Sequence, residues 1–441
     1  MFNKLFKFTQ EKLNILYENS LLLQHLDKLI FALIVFVFLS STVMSSDIIG
    51  FVALIAVFLT AVKVIVTPSD KFEPKIFELW LLAYFMIVII SLAGSTLFSL
   101  SLKGFMKTFT YLGFYVSVAH FLKNNKDKIP YILGAIALCV SFESIVGFMQ
   151  NFAQVDEIST WQDVSRLNPE EVMTRVYGTL QPLNPNLLGG YFVAGIPSLF
   201  GLCAMFLADK NYKRAIITVI LAFLSVITLF LTGCRGSYIG CLVIFLGIAA
   251  VCAKFLWQKY KKIFMSAIGT CIVGITAALI ILEPIRARVF SIFAMRQDSS
   301  NSFRFNVYQS SLQMFKDNWL LGIGVGNKNF REIYGLYMRT GFDALSAYNI
   351  FLETAVESGI FALVAFLGFI ITMLKDGISY ILNSGKLQEI IFVSTAVISI
   401  CAMMIHGLVD TVFFRPQIQF IFWTMAAIIS CIIKQENTVE E

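Results

Sequence analysis

The sequence predicts an all-α, polytopic integral membrane protein. Three observations carry that prediction. The 441 residues are 58% hydrophobic and only 14% charged, with a mean hydropathy of +0.78, and so little polar surface cannot cover a water-soluble globule. Apolar runs of bilayer-spanning length recur along almost the whole chain. The basic residues fall between those runs, sorted by type.

The runs lie near 28–46, 48–66, 77–98, 104–122, 130–152, 185–207, 214–232, 236–257, 263–283, 348–374, 388–409 and 416–433. They predict about 12 transmembrane helices, because only a helix closes its backbone hydrogen bonds within one such segment and the runs are too long for barrel strands. Lys107 makes 104–122 the weakest of them. Before the first run, residues 1–27 mix charged and apolar residues without a cleavable signal pattern, and are expected to form an interfacial amphipathic helix. No second hydrophilic domain and no internal repeat stand out, so 1–441 reads as one membrane domain.

With the N-terminus in the cytoplasm, inner segments and helix ends hold 20 of the 34 Lys plus Arg, which obeys the positive-inside rule and places both termini inside. The net charge of +6 then needs no nucleic-acid partner. All but one of those inner charges are lysines. Ten of the eleven arginines fall outside: Arg166, Arg175, Arg235, Arg286, Arg288, Arg296, Arg304, Arg331, Arg339 and Arg415. Lysine satisfies the topology rule equally well. Arginine adds a planar fork of donors that fits phosphate and carboxylate oxygens, so the outer face reads as built to hold anions. The alternative is structural ion pairing or contact with lipid head groups.

Two outer segments have useful length. One is 153–184. The other is a large loop at 284–347, with helical patterning near 303–318 and 327–339. Eight single cysteines, none in a CxxC pair, read as small core hydrophobes, and three histidines without ligand spacing give no sign of a metal site.

Candidate chemistry gathers on the outer side. Arg235, in TGCRGSYIG, sits at a tight turn between two apolar runs, where a charge marks either a site or an ion pair with a carboxylate such as Glu143. In QPLNPNLLGGYF, Asn184 can cap a helix begun by Pro185, and the free N–H groups beside Asn186 can attract an anion; cap and packing alone explain the stretch equally well. Gly322, Gly324 and Gly326 alternate in a turn that lacks the spacing of a dinucleotide fingerprint but can lie against phosphate. Asn349, Glu353 and Glu357 are four apart and share one helix face, so a carboxylate there can be a general base or an arginine's counter-ion. His406 and Asp410 are also four apart, so Asp410 can orient His406, with Arg415 following.

These stretches, NPNLLGGY, TGCRGSYIG, FRFNVYQSSLQMFKDNWLLGIGVGN, SAYNIFLETAVESGI and HGLVDTVFFRP, together resemble the O-antigen ligase and polymerase superfamily of bacterial inner-membrane proteins over roughly 170–430. The resemblance is closest to the branch labelled as cyanobacterial inorganic-carbon-accumulation proteins. It implies a glycosyltransferase-C-like helical fold and transfer of a glycan from a polyprenyl-pyrophosphate carrier to an acceptor hydroxyl on the outer face, in cell-surface polysaccharide biosynthesis, without metal or other cofactor. It implies that Arg235 and Arg304 hold the pyrophosphate, with Arg175 and Arg415 as further candidates and Asn184, Asn186, Tyr348 and Asn349 in support. Where the ligases carry a histidine before Asn, this chain has Tyr348-Asn349, which moves the base to Glu353 or to His406 with Asp410. The alternative function is transport of a small anion such as bicarbonate. The one-sided arginines and the lack of an inverted repeat fit surface chemistry better.

Overall fold

The computed structural model describes residues 20–66, 74–153, 175–281, 283–293 and 299–436. The expected interfacial helix at 1–27 lies mostly outside these residues, as do Arg166, Arg296 and most of 153–174. The described residues contain no strand. Their main helices are α1 (Leu26–Ser41), α2 (Ser46–Val66), α3 (Ile76–Ala93), α4 (Phe98–Asn124), α5 (Ile129–Gln150), α6 (Pro185–Ala208), α7 (Tyr212–Leu231), α8 (Arg235–Ile281), α9 (Glu283–Phe290), α10 (Ser299–Asp317), α11 (Asn327–Tyr334), α12 (Ile350–Asn383), α13 (Leu387–His406) and α14 (Pro416–Glu436).

Among the described residues, nine helices are long and apolar enough to cross a membrane: α2, α3, α5, α6, α7, α8, α12, α13 and α14. The sequence led to twelve, and the difference has three causes. Helix α1 has only 16 residues, short of the roughly 20 that a bilayer core requires. Lys103, Lys107 and Lys123 lower the hydropathy of α4. The runs 236–257 and 263–283 follow one another in a single helical stretch of 47 residues, kinked at Tyr260, and count as one.

That long helix is nevertheless a hairpin. A straight one would span about 70 Å, yet Ser291, ten residues beyond its end, bonds Arg235 at its start at 3.2 Å. The reversal falls where Tyr260 leaves helical geometry (φ −128°, ψ 29°), among Lys254, Lys259, Lys261 and Lys262. The two arms thus run antiparallel.

The most enclosed helices are α13 and α14, and aromatic contacts of Phe369, Phe413, Phe422 and Trp423 weld α12 to α14. Side chains such as Phe58 on α2 and Ile220 on α7 stay exposed on the periphery, as expected where lipid is the solvent. At one end of the bundle, lysines tie helices together. Lys63 pairs with Asp27, Lys126 with Glu389 at 3.3 Å, and Lys254 donates to the Leu382 carbonyl at 2.9 Å. The opposite end, where α4, α6, α8, α12 and α14 begin, carries Arg175, Arg235, Arg288 and Arg304. The chain is a multi-pass, all-helical membrane protein.

Helix α12 is broken at Gly359 (φ 80°, ψ 179°). The carbonyls freed there accept from another segment: Val356 from Ile323 N at 3.0 Å and Glu357 from Gly324 N at 2.8 Å, while Ile360 N donates to Trp319 at 2.8 Å. The glycine-alternating turn therefore wedges into a helix break instead of standing open to phosphate. A Cβ at Gly322 would lie 2.4 Å from the Glu357 backbone, and one at Gly359 2.2 Å from the Leu320 carbonyl. This corrects the phosphate reading of the turn. Its glycines serve backbone contact at positive φ.

Candidate functional site

Asn184 accepts from Asn186 N at 2.7 Å and Leu187 N at 3.4 Å, so α6 starts with a side-chain cap and Pro185 in its first turn. That start points Asn186 toward two charged groups. Its Oδ1 accepts from Arg175 Nη2 at 2.6 Å, and its Nδ2 donates to Asp410 Oδ2 at 3.2 Å. Arg175 is buried, and its Nε donates to the Thr232 carbonyl at 2.7 Å. Burial pushes its guanidinium below the ordinary value and the Arg235 charge adds to this, while Cys234, Tyr238 and Asp410 oppose the shift. An arginine remains charged at neutral pH even so.

Arg235 opens α8 and donates from Nη1 to both the carbonyl and the hydroxyl of Ser291 at 3.2 Å. The alternative partner, Glu143, is engaged elsewhere. It accepts from Thr179 N at 2.9 Å and Thr179 Oγ1 at 2.5 Å, clamping the strand of chain that leads into α6. Arg288 donates from Nε to the Gly233 carbonyl at 2.8 Å, and Asn301 to the Ser291 carbonyl at 3.3 Å. One turn beyond Asn301 on α10 stands Arg304. It lies 3.7 Å from Asp410 Oδ2 and packs over the Tyr348 ring at 5.9 Å. Its buried Nε has no hydrogen-bond partner among the described residues. Arg175, Arg235 and Arg304 thus reach one patch from three separate elements.

His406 ends α13 and is buried between two glycines. A Cβ at Gly236 would come within 2.5 Å of its Cδ2, and one at Gly190 within 3.0 Å of its Cε1. Its Nε2 faces the Cys234 sulfur at 3.8 Å. Burial opposes a Cys234 thiolate, but the His406 contact outweighs it and holds the thiol down to about 7. The four-residue spacing of His406 and Asp410 does not put them on one helix face, because α13 stops at His406. Asp410 instead caps the following turn, accepting from Thr411 N at 2.7 Å and Val412 N at 3.2 Å.

Cys234, His406 and Asp410 do bring ligand atoms within 4.8 Å of one another, a spacing that sequence separation hid. The donor set suits a cation poorly. Both Asp410 oxygens already accept, and the adjoining guanidinium groups of Arg175 and Arg304 would repel added positive charge.

The other sites fall as follows. Asn349 caps α12, accepting from Phe351 N and Leu352 N at 3.0 Å. Tyr348 holds φ at 52°, and its carbonyl accepts from Tyr308 at 3.2 Å. Burial, and next the Asp410 charge, push its phenol above the ordinary value, which leaves it neutral and without base character. Glu353 is buried, and its Oε2 accepts from Ala347 N at 3.1 Å. Arg415 is exposed, and its side chain forms no hydrogen bond or ion pair among the described residues, so it stands apart from the network. Sequence reasoning counted Arg288 only among the outer arginines and missed Cys234 and Ser291 as members of this patch. Only the adjacency of Cys234 to Arg235 pointed that way.

No curated protein matches the chain. The family model described as O-antigen ligase matches residues 220–367, a segment that holds Arg235, Arg288, Arg304, Tyr348 and Glu353 but stops short of His406 and Asp410. The match supports similarity to the O-antigen ligase superfamily and a glycan-transfer role in polysaccharide biosynthesis.

Proposed function

We propose that this protein transfers a glycan from a polyprenyl-pyrophosphate carrier to an acceptor hydroxyl at the outer face of the bacterial cytoplasmic membrane. One observation carries the reading. Three guanidinium groups, Arg175, Arg235 and Arg304, gather at the end of a membrane bundle beside two proton-accepting groups, Glu353 and His406. Residues 170–430 carry the reaction within a single membrane domain, 284–347 covers its outer side, and both termini lie in the cytoplasm.

In the reaction, the acceptor oxygen attacks the anomeric carbon and loses its proton to the base. The bond from that carbon to the phosphate oxygen breaks, and the electron pair leaves with polyprenyl pyrophosphate. Negative charge grows on the leaving group, where preorganised guanidinium donors in a water-poor cleft stabilise it most. The Asp410 carboxylate and Asn186 hold Arg304 and Arg175 in place before the substrate arrives, so little reorganisation is needed. Glu353 is the first candidate for the base and His406 the second.

Anion transport is less well supported. Transporters commonly bind cargo at helix breaks, but the α12 break at Gly359 is filled by the backbone of 319–324. The test is reconstitution of the purified protein with a polyprenyl-pyrophosphate-linked glycan and a saccharide acceptor, without nucleotide sugar. Glycosylated acceptor and free carrier pyrophosphate in equal amounts are expected. Bicarbonate uptake into the same vesicles, with no glycan transfer, would sink the proposal.

A further inference from the structure

A cavity of about 540 Å³ opens beside the arginine patch, walled by α4, the Val325–Lys328 turn and the first turns of α12 and α14. Three lysines line it: Lys103, Lys107 and Lys328. All are exposed, and none of their side chains has an ion pair or hydrogen bond among the described residues. Lys103 and Lys107 are four apart and share a face of α4. Between them, Gly104 brings α4 so close to the turn bearing Lys328 that a Cβ there would lie 2.3 Å from the Val325 carbonyl. The three cations are thus drawn to one rim.

The lining also includes the exposed carboxylate of Asp47, at the start of α2, and two buried ones, Glu353 and Glu357, 1% and 9% exposed. Each spends one oxygen on a backbone N–H: Glu353 on Ala347 at 3.1 Å, Glu357 on Gly326 at 2.8 Å. The second oxygen of each is left to accept from a ligand. Tyr111 and Trp423 add aromatic surface to the walls. An acyl chain would leave buried carboxylates facing hydrocarbon, which is costly. A sugar suits all three features: hydroxyls donate to carboxylates, ring faces stack on aromatic walls, and an acidic substituent reaches the lysines.

We propose that this cavity binds an acidic saccharide, with its anionic group on Lys103, Lys107 and Lys328 and its hydroxyls on Glu353 and Glu357. Resting on the transfer reading, that saccharide is the acceptor. Glu353 joins the two sites, since the Ala347 N–H it accepts adjoins Tyr348, over which Arg304 packs. The charge on the rim specifies the class of acid, carboxylate or phosphate; the identity of the sugar is open to the probes below.

The test needs no catalysis, so it stands or falls separately from the transfer assay. The full-length protein in phosphatidylcholine nanodiscs is titrated with fluorescent tetragalacturonate, with its uncharged methyl ester, and with a tetrasaccharide phosphomonoester. An acidic probe should bind about tenfold or more tighter than the ester, with the advantage shrinking as salt rises. Lys103→Gln with Lys107→Gln should remove that advantage, and Lys103→Arg with Lys107→Arg should retain it. Lys316→Gln, on an exposed lysine outside the cavity, should change nothing. Equal binding of acid and ester, or no effect of the glutamine pair, overturns the proposal. So does loss of probe binding when phosphatidylglycerol is added to the nanodisc, which would mark a lipid site.

Discussion

The Arg304 guanidinium lies 3.7 Å from the Asp410 carboxylate, joining the large loop to the turn that follows α13. In substrate's absence the pair is a partly buried ion pair; on the transfer reading it aims Arg304 at the pyrophosphate. Arg304→Ala is expected to lower the transfer rate by about 10²–10³-fold. Arg304→Lys keeps the charge but loses the planar fork, and is expected to recover only part of the loss. Steady-state transfer rates of the two variants check this; full activity in Arg304→Ala would place the anion site elsewhere.

On the transfer reading Glu353 and His406 compete for the role of base, and their surroundings differ. Glu353 lines the cavity, whereas the His406 ring is closed in by Gly190, Gly236 and Cys234. Glu353→Gln should therefore reduce turnover by about 10²–10⁴-fold while carrier binding persists, the range of a lost general base. His406→Gln should weaken activity less and chiefly by disturbing packing. A pH–rate profile separates them: the Glu353 variant loses the limb that reports the base, and the His406 variant retains it. The reverse pattern would assign the base to His406.

On the resemblance to the ligases, Tyr348 stands where they carry a histidine, yet burial raises its phenol, which stays protonated at neutral pH. Its ring, not its hydroxyl, supports Arg304. Tyr348→Phe should keep transfer within about threefold and leave the pH profile unchanged, because the ring face remains for the guanidinium. Tyr348→Ala should cost more. Loss of activity in the phenylalanine variant would show that the hydroxyl takes part.

Gly359 holds φ at 80°, and a Cβ there would lie 2.2 Å from the Leu320 carbonyl. Gly359→Ala combines a strained backbone with a direct backbone clash, and is expected to destabilise the protein by about 2 kcal/mol or more. Thermal unfolding in detergent reads the loss. An unchanged midpoint would mean that the α12 break can re-form as continuous helix.

Topology is testable by labelling single cysteines introduced into a cysteine-free background. Ser300 on the large loop should react with an impermeant reagent from outside, and Asn437 and Lys261 only after the cytoplasmic side is opened. The hairpin of α8 requires that 261 and 300 behave oppositely. Labelling of position 300 only from the cytoplasmic side removes the whole scheme.

The sequence by itself determined that this protein is a helical membrane bundle, because hydrocarbon demands long apolar segments with internal backbone bonding, and such segments are visible one at a time. It also separated lysines from arginines, and it marked Arg235, Arg304, Glu353 and His406. Local capping was legible at Asn184, which accepts from backbone N–H groups within three residues; Asn349, read as part of a helix face, is instead the cap of α12. What it left undetermined depends on contacts between distant elements. Four-residue spacing tied His406 to Asp410, whose carboxylate does lie within 4.8 Å of a His406 nitrogen, but past the end of α13 that carboxylate bonds Asn186 and faces Arg304. Glu143 was a reasonable partner for Arg235 until Thr179 took it. The alternating glycines gave no hint of the α12 break they fill, since carbonyls freed in one helix are satisfied by N–H groups about 30 residues earlier. Tertiary structure alone decided which charges meet, because a buried ion pair or capped carbonyl is chosen by three-dimensional neighbours, which periodicity does not encode.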